Sequence, residues 1–531
     1  MPSDHTHSHD ELRLMLLVIG LGFVVRLFSF HYTAMMNPDG TLYIHQARAI
    51  HYGLWDAVNT CNLRYLSIYS ILIAGTYQIV GDWIMAGKII SLTFGTLTLV
   101  PLYLLAQRFF DGMISALVTL IFALTPIFID RSADIVRDPV YWFFLMLGLY
   151  LFVIQLDRYR PLLLILSCCA FLVATWARIE AIVYIPVTIF FILLAVRDRK
   201  LQRLLVFCSP LIVILCLVII GQILQGGDSI RYFRFSDIPM KLHASFAHYE
   251  DLRSQLRELG TTPPLGIRPE FFDNVRAILW FVGLGAILQH AMEAFFYPFF
   301  AFFIIGLIVG CRTIRKDIRT LYLFVLSVAA LVLLYMYIFT GWAMENRYFA
   351  LLIYPSCIFM AHGLEKTMLF LKARFAWRNY VVYTLLVALI LAFGLGKNLK
   401  AREEDKLVFR HIGEFIAQAD ATERERNVLT TDHSKVWISF FANLPLDGAP
   451  CPDKYHHWQR LIGIDYETFL RTLRKHDVHY FVWVEKRWPR DRFDFLANRR
   501  SEDFRQMHSW HHWDTGRIIL FQVLPGIGGK S

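Results

Sequence analysis

Runs of about 18 or more apolar residues recur through the first three-quarters of the chain. Each is long enough, as a helix, to cross a hydrocarbon layer about 30 Å thick. Of the 531 residues, 56% are hydrophobic and only 18% are charged, where a soluble domain carries roughly a quarter. The chain therefore reads as a polytopic α-helical membrane protein. Its formal net charge of +10 does not point to nucleic acid. The basic residues cluster in short loops between apolar runs, where membrane orientation accounts for them.

The runs place spans at about 12–30, 84–107, 112–129, 139–156, 160–177, 181–197, 203–224, 291–311, 319–340, 347–366 and 379–397. That is about 11 spans, or about 12 to 13 if ambiguous stretches also cross. One such stretch, 66–80, decides the topology. If it crosses, the basic loops 158–160, 197–203, 312–319 and 366–378 fall outside. If it lies in the interface or re-enters, all four fall inside, as the positive-inside rule requires. The second choice puts Asp39, Asp138, Arg178 and Arg347 on one outer face, with a cytoplasmic N-terminus and an external C-terminus. The first apolar helix has no small-residue cleavage site and reads as a retained span.

The expected organisation is a transmembrane domain over 1–398 and an extracytoplasmic α/β domain over 399–531. Two external loops, 31–83 and 225–290, interrupt the first. Tyr43, Ala47 and Ile50 recur at helical spacing in the first loop and predict a short amphipathic helix on the membrane. The second loop holds polar turns at 226–228 and 262–264 and another surface helix. In the C-terminal part, helices are expected over 403–419, 434–443 and 466–476, and strands over 427–430, 479–484 and 518–523. No glycine-rich phosphate loop is present.

Eight cysteines occur, most inside apolar runs as small core residues. Cys61 and Cys451 both fall on the outer side and could pair. His5, His7 and His9 lie in a polar N-terminal stretch that reads as a disordered tail rather than a metal site.

Two acidic motifs stand just outside spans: Asn37-Pro38-Asp39 and Arg131-Ser132-Ala133-Asp134-Ile135-Val136-Arg137-Asp138. Asp39 and Asp138 each suit a helix start, and Pro139 follows capping grammar. Yet Arg131, Asp134 and Arg137 bring more charge than a cap requires. Arg64, Arg178 and Arg347 sit at outer boundaries, suited either to snorkelling or to paired hydrogen bonds with a phosphate. His243, His248 and Glu250 read as solvated loop residues.

These pieces, in this order, resemble the GT-C superfamily of polyprenyl-phosphate-sugar glycosyltransferases. The closest likeness is to glycosyltransferase family 39 and its bacterial relatives, which include protein O-mannosyltransferases and the aminoarabinose transferase acting on lipid A. The carriers are Pro38-Asp39 with Tyr43, Ala47 and Gly53, the segment 131–138, and Glu345-Asn346-Arg347-Tyr348. Two departures stand out: Gly40 follows Asp39 where family 39 often has an Asp-Glu pair, and Pro139 and Val140 follow Asp138 where oligosaccharyltransferases place histidines.

The resemblance implies inverting transfer of a sugar from a polyprenyl-phosphate donor to an acceptor hydroxyl on a lipid, glycan or protein, in a bacterial inner membrane. Asp39 would serve as general base. Arg347, Arg64 and Arg178 would hold the departing phosphate, and Asp138 would orient the acceptor or an arginine. Tyr43, Arg131, Arg137 and Glu345 would line the substrate pocket. No metal or other cofactor is expected. The competing classes are a lipid-linked glycan flippase or solute carrier, a glycan polymerase or ligase, and a membrane scaffold. No internal repeat supports transport.

Overall fold

A computed structural model describes residues 4–225, 237–340, 344–431, 435–456, 458–463 and 465–525. The described residues form two compact units. One falls within Met1–Phe30, Ile89–Ala133 and Arg137–Lys400; the other falls within His31–Lys88, Asp134–Val136 and Ala401–Ser531.

The first unit, termed the helical unit, is built from apolar helices. Among the described residues, seven helices are long and apolar enough to cross a membrane, or up to ten if each bent pair counts as one span. Two expected spans, 160–177 and 181–197, are the shorter apolar helices Pro161–Ala177 and Ile179–Ala195. The expected span 112–129 breaks at Pro126 into Gly112–Leu124 and Pro126–Ser132, bent by 59°. Proline lacks the N–H that would continue the ladder, so the break falls where sequence chemistry puts it. The first helix runs back to Asp4, through the stretch expected to be a disordered tail. Residues 4–11 contain neither proline nor glycine to stop it.

The hairpin formed by Asp138–Asp157 and Pro161–Ala177 is what matters for the site. Its arms have 20 and 17 residues, or about 30 Å and about 26 Å of helix. The return arm therefore brings Arg178 back to the level of Asp138. The arms are pinned where Ser167 Oγ donates to the Gly148 carbonyl at 2.8 Å. A Cβ on Gly148 would lie 2.6 Å from the Phe171 ring. Farther along, Tyr297–Ile314 and Cys357–Phe375 cross backbone to backbone. A Cβ on Gly306 would land on the Phe359 carbonyl, and one on Gly363 on the Phe302 carbonyl. Such small-residue crossings let membrane helices pack closely. Helix Cys357–Phe375 meets Asn346–Ile353 at 76°, and Arg347 lies in the bent segment.

The 225–290 stretch contains helices Asp237–Thr261 and Pro269–Ala277, and its end lies within the apolar helix Leu279–Ala294. The turn expected at 226–228 lies outside the described residues.

The second unit, termed the mixed unit, combines the first loop with the C-terminal part. Helix Pro38–His51 starts where the Asn37 side chain accepts from Asp39 N. Nine of its residues are buried, and it packs within the unit. Gln46 fixes the loop that follows: its Nε2 donates to the Val58 and Tyr65 carbonyls, both at 2.8 Å, and its Oε1 accepts from Ser67 N. Helix Ile68–Val80, the ambiguous stretch, has 13 residues. Its length of about 20 Å is short of a bilayer core.

The C-terminal part forms a four-stranded sheet of β1 (Val428–Thr430), β2 (Tyr480–Val484), β3 (Phe504–His512) and β4 (Gly516–Val523), in the order β1-β2-β4-β3. β1 and β2 are parallel and the other pairs are antiparallel. One face carries an aromatic core of Phe469, Phe481, Phe495, Phe504 and Phe521. The disulfide Cys61–Cys451, with Cα atoms 5.5 Å apart, ties the first loop to this part across 390 residues of sequence.

Candidate active site

At the end of the hairpin, Arg178 and Asp138 form an ion pair in which both side chains are almost fully buried. The other Asp138 oxygen faces the Arg347 guanidinium at 3.7 Å. Arg178 also reaches Glu180 at 3.5 Å and stacks over the Tyr348 ring, 4.3 Å from its centroid. Glu345 bridges two arginines: it accepts from Arg347 at 2.8 Å and from Arg131 at 3.4 Å. Three carboxylates and three guanidiniums thus form one continuous network at helix ends.

Burial differs sharply within that network. Asp138 and Arg178 are 1% and 3% exposed, whereas Glu345 is 51% exposed. The core pair is a fixed frame, since splitting a buried pair leaves an uncompensated charge. Glu345 is the carboxylate most easily exchanged. Its oxygens occupy guanidinium donors that any other oxyanion of similar geometry would take.

Beside the network lies a cavity of about 210 Å³. Its walls are mostly apolar, from Ile179, Ile182, Val183, Leu333, Leu334 and Met336. Glu180, Tyr337 and Tyr348 line it as well, so the cavity and the arginine network share side chains. The Tyr337 and Tyr348 hydroxyls lie 3.3 Å apart. An apolar chamber with guanidiniums behind its Glu180 and Tyr348 wall suits an amphiphile with an anionic head.

The expected site residues divide between the units. Asp138, Arg178, Arg347, Arg131 and Glu345 gather in the helical unit. Arg137, at the start of the Asp138 helix, adds its charge near Asp138. Asp39, Tyr43 and Arg64 belong to the mixed unit. Asp39 is half-buried in the first turn of Pro38–His51. Tyr43 is buried edge-on against Tyr69, with centroids 5.3 Å apart. Arg64 is exposed and is not in the cluster that holds Arg178 and Arg347.

Asp134 is structural. Its Oδ1 accepts from Asn37 N at 2.8 Å and from Ile135 N at 2.7 Å, anchoring the start of the helix that carries Asp39. Glu180 and Tyr337 were not singled out from sequence, and Tyr348 entered only as the last residue of the 345–348 motif. The first stands two residues after Arg178 and the last directly follows Arg347, so adjacency to the boundary arginines was the available signal. Among the described residues, no three His, Cys, Asp or Glu side chains are grouped as a metal site would need.

Residues 67–221 match the family described as dolichyl-phosphate-mannose-protein mannosyltransferase. No curated protein matches the chain. Among solved structures, the oligosaccharyltransferase of Archaeoglobus fulgidus in its apo form is 11% identical, with a TM-score of 0.56 over 90% of this chain and 70% of that one. The same organism's AglB, in complex with an inhibitory peptide and a dolichol-phosphate, is 12% identical, with a TM-score of 0.52 over 96% and 74%. ArnT from Cupriavidus metallidurans bound to undecaprenyl phosphate is 13% identical and covers 97% and 99%, with a TM-score of 0.45. The match over 67–221 agrees with the family likeness read from the motifs, and the two oligosaccharyltransferase structures share the fold.

Proposed function

We propose that this protein is a membrane glycosyltransferase that moves a sugar from a polyprenyl-phosphate donor to an acceptor hydroxyl, with inversion and general-base catalysis. The observation that carries this reading is the buried Arg178–Asp138–Arg347 network, whose neighbours Glu180 and Tyr348 also line an apolar cavity. The cavity suits isoprene units, and the guanidiniums suit the phosphate to which they are joined. The match over 67–221 to a dolichyl-phosphate-mannose family supports the donor class.

The roles follow from charge. As the glycosidic C–O bond breaks, negative charge grows on the lipid phosphate. Arginines already fixed in a poorly hydrated site stabilise that charge without reorganising. Asp138 sets the position of both guanidiniums. Glu345 yields its place on Arg347 and Arg131 to the phosphate. Asp39 accepts the proton of the attacking hydroxyl. Arg137, Arg64 and Tyr43 are retained as substrate-binding residues, with Arg64 assigned to the phosphate.

The Cys61–Cys451 disulfide supports an oxidising compartment for the mixed unit. Together with basic loops read as cytoplasmic, it supports a reaction on the extracytoplasmic face of a bacterial inner membrane, with the N-terminus inside.

Incubation of purified protein with a panel of synthetic polyprenyl-phosphate sugars and candidate acceptors, read by mass spectrometry, tests the reading. A glycosylated product formed by wild type and absent with Asp39→Asn is expected. Full activity in Asp39→Asn would remove that residue as base, and failure of every donor would overturn the substrate class.

A further inference from the structure

Away from this network, an open cavity of about 500 Å³ is lined by Glu250, Arg253, Ser254, Arg257 and Arg276. Arg253 and Arg257 are one helical turn apart on Asp237–Thr261, so their side chains share a face. Arg276 faces the same cavity from Pro269–Ala277. Arg276 pairs with Asp273 at 3.2 Å. Among the described residues, Arg253 and Arg257 enter no ion pair. Three guanidiniums against one lining carboxylate make the cavity electropositive, and Ser254 adds a hydroxyl.

Its setting identifies the level at which a ligand would be met. Helix Pro269–Ala277 turns by 68° from the apolar helix Leu279–Ala294. At that corner Phe271, Trp280 and Phe281 are exposed, at 56%, 45% and 54%. Exposed aromatic rings where an apolar helix gives way to a polar one mark the bilayer interface, the depth of lipid phosphates. Arginine presents paired N–H donors that match phosphate oxygens.

We infer that Arg253, Arg257 and Arg276 form an anion site for a phosphoryl group, supplied by the headgroup of an anionic membrane lipid. The site uses none of the residues assigned to transfer, and its occupancy is read without any transfer reaction.

The test is native mass spectrometry of the detergent-released full-length protein with dioleoyl phosphatidic acid, dioleoyl phosphatidylcholine, or glucosamine 6-phosphate. Wild type should retain phosphatidic acid over phosphatidylcholine by at least tenfold. The triple variant Arg253→Gln, Arg257→Gln, Arg276→Gln should lose one bound phosphatidic acid per chain. Arg268→Gln, which removes one charge outside the cavity, should keep it. Retention of the lipid against excess glucosamine 6-phosphate confirms the headgroup as source. Displacement overturns that source and assigns the site to soluble phosphates. Equal retention of the two lipids by wild type, or undiminished phosphatidic acid on a folded triple variant, would overturn the site. If the triple variant does not fold, Arg257→Gln alone provides the comparison, since that side chain is exposed.

Discussion

The two units hold their buried arginines in different ways. In the mixed unit, Arg48 donates to the carbonyls of Gly448 and Leu446, with those of Leu444 and Asn443 at 3.4 and 3.5 Å. Arg426 likewise meets the carbonyls of Asp420, Ala442 and Thr422. In the helical unit, Arg178 and Arg347 face a carboxylate, and a cavity adjoins them. Arginines bound to carbonyls have spent their donors on the backbone and serve the fold. Arginines held by carboxylates keep a counterion that a substrate anion can exchange. The partner sets the rule rather than the unit: Arg26, buried in the first span, donates to the Gly22 and Ala123 carbonyls and belongs with the structural group.

The largest effect that could break this contrast is at Asp138. Asp138→Asn leaves buried Arg178 with Glu180 alone, at 3.5 Å, as counterion, a loss of up to about 3–5 kcal/mol, and should abolish transfer. A thermal melt and a product assay read both. Wild-type stability together with wild-type transfer would dissolve the distinction between the two kinds of arginine. Arg48→Gln should cost about 1–3 kcal/mol through carbonyls left without donors, while transfer per folded molecule stays at the wild-type level. A selective loss of turnover in that variant would move Arg48 into the functional group.

Much of this could be read from residues alone. Asp138, Arg178 and Arg347 were legible because charges at the ends of apolar runs are costly unless they act or pair. Arg64 carried the same signal and lies exposed in the mixed unit; a boundary position does not say which neighbours share it. The helices and three strands of the C-terminal part followed their apolar periodicity. β3 did not: Phe504–His512 reads Phe-Arg-Gln-Met-His-Ser-Trp-His-His, an edge strand whose many exposed polar residues hide the two-residue period. The pairing of 31–88 with 401–531 in one unit was hidden as well, since hundreds of residues separate the two stretches. Only the outer location of Cys61 and Cys451 hinted at it.

A smaller effect is expected at Glu345. If its carboxylate holds the place of the donor phosphate, Glu345→Gln should lower the KM for donor several-fold. A KM that rises would show instead that Glu345 orients Arg347. The smallest effect concerns His45, buried between the Pro450 and Ala57 carbonyls at 3.1 and 3.3 Å. Burial pushes its imidazole below the ordinary 6.5, against the pull of those carbonyls. The folded state thus disfavours the charged ring. The stability His45 contributes is complete above pH 6.5 and declines as pH falls through the lower folded value. His45→Gln should flatten that part of the stability–pH curve, measured by denaturation between pH 7 and about 5; an unchanged slope would assign it elsewhere.

The central claim is that the cavity beside Arg178 and Arg347 receives the isoprene chain of a phosphorylated polyprenol. A polyprenyl phosphate bearing a diazirine in its first isoprene unit tests this directly, with labelled peptides mapped after illumination. Labels on 179–183 and 333–337 that vanish in Arg347→Ala are the expected result. Labels confined to other helices, or unaffected by loss of Arg347, would contradict it.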